Sequence, residues 1–489
     1  MNTELLSATE LVALIRDRKL GSLELLDAQL ARIDEHNGGI NAVVAMDVEG
    51  AREAARAADD APPDRRGPLH GLPITIKDSW EVAGMPATCG FPELADHVPT
   101  RDAEPVALLR AAGAIPFGKT NVPFAAADHQ SYNPVYGTTS NPWDLSRTPG
   151  GSSGGPAAAV AAGFTSLELG SDIAGSIRIP SHFCGIYGHK PSFGLVPRGG
   201  HVPPAPSHLT QGPLSVGGPM ARSASDLELA LDVLVAPSRK DRQAWSVRVP
   251  PSRHEQLSDF RIALCADDEH FSLDSRCRDA IHAYAEDLRG LGVQVDETAR
   301  PDIDVAASDD LYVAMLFSVH TSQLPADLLA HFVAVGEADD DPRGYPARVA
   351  KAVQLTAHGH WELVEQQLQL QAAWARFFEG YDLVLCPIQP TVAFAHDHSG
   401  DGPGHTAQYE RRTMVDGESV PYLHAMQWTG LITIADLPAT AIPTGRLVDG
   451  MPVGLQAAGP WLEDRTPLRF AQLAERELGG YQVPATLTA

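Results

Sequence analysis

Lys77 closes the apolar run GLPITIK, Ser152 follows 75 residues later inside TPGGSSGG, and Ser176 comes 24 residues after that in GSDIAGSIRIP. A lysine at the end of an apolar run is drawn into low dielectric, which lowers its pKa and makes a neutral amine available as a base. A base of that kind beside serine hydroxyls is the equipment of nucleophilic catalysis. Each piece also has a plainer meaning. Lys77 could be a strand-end residue paired with Asp78 at the surface. The run TPGGSSGGPAAAVAAG, residues 148–163, could cradle a phosphate, link two domains or form a glycine-rich strand-to-helix turn with incidental serines. The glycine-serine run says little alone; the three residues together point to catalysis.

A competing lead is GAIPFGKT, residues 113–120, which satisfies G-x-x-x-x-G-K-[ST]. A phosphate loop needs a strand before its glycines and a helix starting at its lysine, so that backbone N–H groups meet the phosphates. Here the helical pattern LLRAAG comes first and Asn121-Val122-Pro123 stands where a helix must propagate. The segment therefore reads as helix followed by the strand IPFGKT, against nucleotide binding at Lys119. Cys184 lacks an activating charge nearby and reads as a small core residue. His358 and His360 read as surface or packing residues, and no metal site is expected. No G-x-S-x-G elbow surrounds Ser176, which argues against a Ser-His-Asp triad despite 19 histidines.

The elements that must position these residues alternate. Ser7-Ala8-Thr9-Glu10 forms a capping box ahead of Leu11, Leu14 and Ile15 at helical spacing. Helices are expected again at about 23–33 and 48–59, and LPITIKD reads as a buried strand. Helix then strand recurs at PVALLRAAGA and IPFGKT, while FRIALC, AIHAYAEDLRGLG and VQVDE give strand, helix and strand. The expected fold is α/β, a single large domain with a mixed, mostly parallel central sheet covered by helices on both faces. Within 1–489 the expected parts are a helical segment at about 1–60, a catalytic core at about 65–235, and the pocket with the remaining sheet at about 258–489. The polar stretch 236–257 reads as a surface excursion more than a linker, and the segments 335–346 and 396–410 as solvated loops.

Composition narrows the partners. The net charge of −25 argues against nucleic acid or an anionic membrane as partner, because phosphate binding is dominated by Lys and Arg. A small-molecule substrate is expected. Five scattered cysteines without a C-x-x-C pair indicate neither a disulfide framework nor zinc. Glu4 and Glu10 stand where a signal peptide carries positive charge, and the expected location is cytoplasmic.

The sequence resembles the amidase signature family of Ser-cisSer-Lys hydrolases over nearly its whole length. The resemblance rests on GLPITIKD, GKTN, YGTTSNPWD, TPGGSSGG, GSDIAGSIRIPSHFCGIYGHKPS, GPMARS, LPATAIPTG and MPVGLQAAGP, in that order. It implies Ser176 as nucleophile, Ser152 as a serine on a cis peptide bond, Lys77 as base and Ser153 as an accessory hydrogen-bonding residue. Ile173, Ala174, Gly175 and Ser176 would turn backbone N–H groups on the oxyanion, and Ala174 stands where the family more often has Gly. Asp172 and Arg178 would brace that loop as a buried ion pair. No metal or organic cofactor is implied, and the protein is expected to be a monomer or homodimer.

Family members differ in substrate, and the pocket is normally built from segments equivalent to 122–136, 196–216, 310–325 and 420–434. Phe124, Tyr132, Tyr312, Met315, Phe317 and Trp428 are the expected substrate-binding side chains, which favours apolar or aryl amides, anilides and aryl carbamates (urethanes). Two other functions compete with this one. A glutamine-dependent tRNA amidotransferase component shares the core, but carries a Gln after the Arg of its nucleophile motif, where this chain has Ile179 and Pro180. A non-catalytic scaffold on the same fold would have no use for a buried lysine.

Overall fold

A computed structural model describes residues 3–203, 205–206, 208–321, 326–400 and 407–487. Parts of three segments named above, 196–216, 310–325 and 396–410, lie outside the described residues. The capping box is present: Ser7 Oγ accepts from the Glu10 amide, and the Glu10 carboxylate accepts from the Ser7 amide, opening the helix Ala8–Arg16. Leu11 and Ile15 of that helix are buried.

Eleven strands form one sheet. In chain order they are β1 (Val43–Met46), β2 (Pro73–Lys77), β3 (Ile115–Thr120), β6 (Leu167–Asp172), β7 (Tyr187–Lys190), β8 (Val216–Ala221), β9 (Arg261–Leu264), β10 (Gln294–Asp296), β11 (Leu383–Pro387), β14 (Ala439–Val448) and β15 (Met451–Ala458). Short pairs β4 (Tyr132–Asn133) with β5 (Gly137–Thr138), and β12 (Arg412–Val415) with β13 (Glu418–Pro421), stand apart. The spatial order is β1-β3-β2-β6-β8-β7-β14-β15-β11-β9-β10. Stretch 236–257 sits between strands β8 and β9 of this same sheet, as a surface excursion.

The sheet is mixed, as expected, but antiparallel pairs outnumber parallel ones. Only β2 with β3 and β6, and β9 with β10 and β11, run parallel; the centre is antiparallel. Helix-then-strand patterns of the kind read from the sequence specify parallel crossovers, and they lie on the flanks. The centre depends on a two-residue Asp449-Gly450 turn between β14 and β15, both residues at positive φ, which joins antiparallel neighbours directly. Asp416-Gly417 makes the same kind of turn between β12 and β13.

Every residue of β2, β3, β6 and β8 is buried, as in a sheet covered on both faces. Ile74 and Ile76 of β2 and Phe117 of β3 are fully enclosed, each worth about 1.5–3 kcal/mol by removal from water. Because β2, β3 and β6 run parallel, their C-terminal residues Lys77, Thr120 and Asp172 emerge at one edge. Val216 opens the antiparallel β8 opposite Asp172, so the loop 191–215 arrives at that edge too. No helix of the described residues is long and apolar enough to cross a membrane.

Candidate active site

Lys77, the last residue of β2, is fully buried, and its Nζ lies 2.7 Å from Ser152 Oγ, 2.9 Å from Ser153 Oγ and 3.0 Å from Ser171 Oγ. Among the described residues no carboxylate forms an ion pair with it. Side chains alternate across a strand and its continuation, so Asp78 points elsewhere: it lies 3.5 Å from Lys119 and accepts from the Thr88 hydroxyl at 2.6 Å. Burial lowers the Lys77 ammonium from its ordinary value to about 7. A compensating negative neighbour would have held it high.

The peptide bond Gly151–Ser152 is cis. A β-carbon at Gly151 would fall onto the Asp128 carbonyl, and one at Gly155 onto the Asn121 backbone, so TPGGSSGG packs against other main chain where no side chain fits. Ser153 leads into the helix Gly154–Ala162, and its amide donates to the Ser176 carbonyl at 3.1 Å. That contact ties the two serine segments together. Ser152 and Ser176 line one cavity, which Ser171, Ile173, Arg198 and His201 also border. Ser176 lines a second cavity with Leu316, Phe317, Leu423 and Met426, an apolar stretch of wall that Asp128, His129 and Gln408 adjoin.

Asp172 and Arg178 are fully buried and bidentate, with Arg178 Nη2 2.9 Å from Asp172 Oδ1 and Nε 3.0 Å from Oδ2. Arg178 donates further to Thr433 Oγ1, Gln456 Oε1 and the Thr429 carbonyl. Burial alone would raise the Asp172 carboxyl, but the Arg178 charge and hydrogen bonds hold it down to about 2. Asp172 also accepts from the amides of Gly175 at 2.9 Å and Ile177 at 3.0 Å. The Gly175 N–H, one of the four amides expected to meet an oxyanion, is thereby committed to the loop. Replacing Asp172 by Asn strands the Arg178 charge and should cost about 3–5 kcal/mol. A lower unfolding temperature together with a lower kcat is the expected outcome; an unchanged unfolding temperature would show that the pair does not brace the loop.

The six expected substrate-binding side chains divide. Phe317 lies in the wall of the apolar cavity. Tyr312 is fully buried behind the loop and donates its hydroxyl to the Ile173 carbonyl at 3.1 Å, so it supports that loop from the back. Met315 is 1% exposed in the adjoining core, and Trp428, equally buried, donates to the Ser272 carbonyl and packs edge-on against Phe271. Phe124 packs on Phe91, beside the cavity residues Ala125 and Ala126. Tyr132 accepts from Arg411 at 2.7 Å and stacks on His398. Neither Phe124 nor Tyr132 borders the two cavities among the described residues.

Sequence reading missed Ser171, the third hydroxyl on Lys77, and His201, whose Nε2 lies 3.0 Å from Ser171 Oγ. The signal for Ser171 is a small polar residue in a buried strand beside Asp172. Lys119 is enclosed within β3 and donates to the Trp80 and Pro86 carbonyls, so GAIPFGKT holds no phosphate loop. Cys184 is fully buried, and burial pushes its thiol up. His358 is exposed beside Glu362.

The family model described as Amidase matches residues 24–468. A glutamyl-tRNA(Gln) amidotransferase component from Exiguobacterium sibiricum is 31% identical over 493 residues, covering 96% of this chain and 97% of that protein. Fatty-acid amide hydrolase 2-A of Danio rerio is 31% identical over 514 residues, covering 99% and 91%. A bacterial aryl acylamidase structure of the amidase signature enzymes superposes with a TM-score of 0.79 over 99% of this chain and 98% of that one; at 24% identity this is a likeness of fold. With the lysine, the serines and the braced loop gathered at one sheet edge and relatives aligned end to end, the chain belongs to the amidase family, the amidase signature enzymes.

Proposed function

We propose that this chain hydrolyses amides unaided, through an acyl-enzyme on Ser176, with Ser152 and neutral Lys77 as the proton relay. The observation that carries this reading is the buried Lys77, 2.7 Å from Ser152 and without a carboxylate partner among the described residues. As a neutral amine it accepts from the Ser152 hydroxyl through its lone pair and donates its two N–H groups to Ser153 and Ser171. Ser176 Oγ attacks the carbonyl carbon while its proton passes to Ser152 and the Ser152 proton passes to Lys77. The amides of Ile173, Ala174 and Ser176 receive the oxyanion. The relay then returns a proton to the leaving nitrogen, the C–N bond breaks, and the same groups deprotonate the water that releases the acid.

The apolar cavity beside Ser176, with Phe317, Leu316 and Met426, supports an apolar or aryl group on the substrate, so anilides and aryl carbamates are the favoured tests. Likeness to an amidotransferase component supports a second reading, in which the chain serves a partner that uses ammonia from glutamine. The two separate on the purified chain. Turnover of a simple anilide without partner, with a covalent acyl adduct on Ser176 by mass spectrometry, is the expected result. Activity confined to glutamine, or dependent on added partner proteins, would favour the second reading and remove the first.

A further inference from the structure

Among the described residues, the cavity shared by Ser152 and Ser176 holds a cation with no paired counter-charge. Arg198, in the loop between β7 and β8, is 9% exposed and lines that cavity. Its Nη1 donates to the Gly212 carbonyl at 3.1 Å, and its Nε has no partner. Among the described residues no carboxylate pairs with it. Two other buried arginines have a carboxylate, Arg178 with Asp172 and Arg411 with Asp128 at 2.6 Å; Arg222 and Arg32 donate to carbonyl oxygens and, like Arg198, keep one unpartnered nitrogen, but neither lines this cavity. A guanidinium removed from water without an anion is costly, and its planar fork matches a carboxylate bidentately. Asp172, the one acidic residue in that wall, is already held by Arg178. Although burial lowers Arg198 to about 10, it remains a cation at neutral pH.

The two cavities differ in which end of a substrate they suit. Both contain Ser176, but Ser152 borders only the Arg198 cavity. Under the relay proposed above, Ser152 delivers the proton to the leaving nitrogen, so the amine portion lies on the Arg198 side and the acyl group in the apolar cavity beside Phe317. We infer that the preferred substrate is an apolar N-acyl amide of a carboxylate-bearing amine, such as an N-acyl amino acid or N-acyl aminobenzoate, with that carboxylate docked on Arg198. This inference rests on the acyl-enzyme reading and adds the class of leaving group to it.

The test uses three substrates of the purified full chain: an N-acyl-4-aminobenzoate, its uncharged 4-acetyl counterpart, and an anilide with the carboxylate moved to the acyl group. Wild-type enzyme should prefer the aminobenzoate over the acetyl compound by about tenfold to a hundredfold in kcat/KM, mostly through KM, the range of a charge-assisted hydrogen-bond pair. Arg198→Met should collapse that ratio to near one, and Arg198→Lys should restore part of it. Free 4-aminobenzoate should inhibit wild-type enzyme more tightly than aniline, a readout that needs no variant. No preference in wild-type enzyme, equal losses on both substrates in Arg198→Met, or preference for the acyl-side carboxylate would each overturn the inference. The acetyl compound keeps the underlying reading separate: its turnover with acylation of Ser176 leaves the hydrolase standing, whereas absence of any acyl adduct removes both.

Discussion

Ser176→Ala is expected to lower kcat/KM on an anilide by roughly 10⁴-fold or more, the scale on which loss of a catalytic nucleophile is felt. The fold should survive, because the change removes one hydroxyl from a residue only 6% exposed and leaves its backbone carbonyl free to accept from the Ser153 amide. Ser153 and the Asp172 cage keep the loop in place without the side chain. Unfolding temperature close to wild type, no acyl adduct and background turnover form one coherent outcome. Retention of more than a few per cent of activity would mean that another group attacks the carbonyl. Ser152→Ala should also be severely impaired while retaining Ser176, which separates the relay from the nucleophile.

Lys77→Arg is expected to be as inactive as Lys77→Met, since a guanidinium stays protonated in proteins and cannot take the Ser152 proton. If the arginine variant keeps a tenth of wild-type activity, Lys77 acts as a fixed charge and the base lies elsewhere. In wild-type enzyme, kcat/KM should rise with pH through one deprotonation at about 7 and then hold level. Stability follows the same group with a definite sign. Between about 7 and the unfolded lysine value near 10.4, the unfolded chain binds a proton that the folded chain does not, so stability rises with pH across that window. Lys77→Met should flatten that rise and melt at a higher temperature than wild type at neutral pH. If those outcomes hold, a neutral Lys77 is kept at the expense of the protein's own stability.

What the sequence disclosed depended on how local the signal was. The capping box at Ser7, the strand ending in Lys77 and the flank strands were legible because neighbouring residues determine them. The antiparallel centre was less so, although Asp449-Gly450 and Asp416-Gly417 both carry a hairpin signal. Substrate contacts were read from residue type, and that is where type misleads: Tyr312, Met315 and Trp428 are as suited to a core as to a cavity, and they lie in the core. Arg198 shows the opposite case. Its segment is one of those expected to form the pocket, but what singles out the side chain is its place in the cavity wall with no carboxylate paired to it among the described residues, a relation in space that no local pattern encodes.

The place of β14 and β15 bears on how the protein is made. All of β1, β2, β3, β6, β7 and β8 lie before residue 222, and β9, β10 and β11 lie between 261 and 387, yet the hairpin of residues 439–458 alone joins the two sets. A nascent chain emerging from the ribosome therefore holds two half-sheets, with β7 and β11 each presenting an open edge until residues 439–458 have been made. Such edges are templates for pairing with other chains. Arg178 also waits for Gln456 from this hairpin and for Thr429 and Thr433 just ahead of it, so the loop it braces cannot be fully held earlier. Synthesis of this enzyme accordingly passes through an interval in which both half-sheets exist unjoined and their exposed strands need shelter from one another.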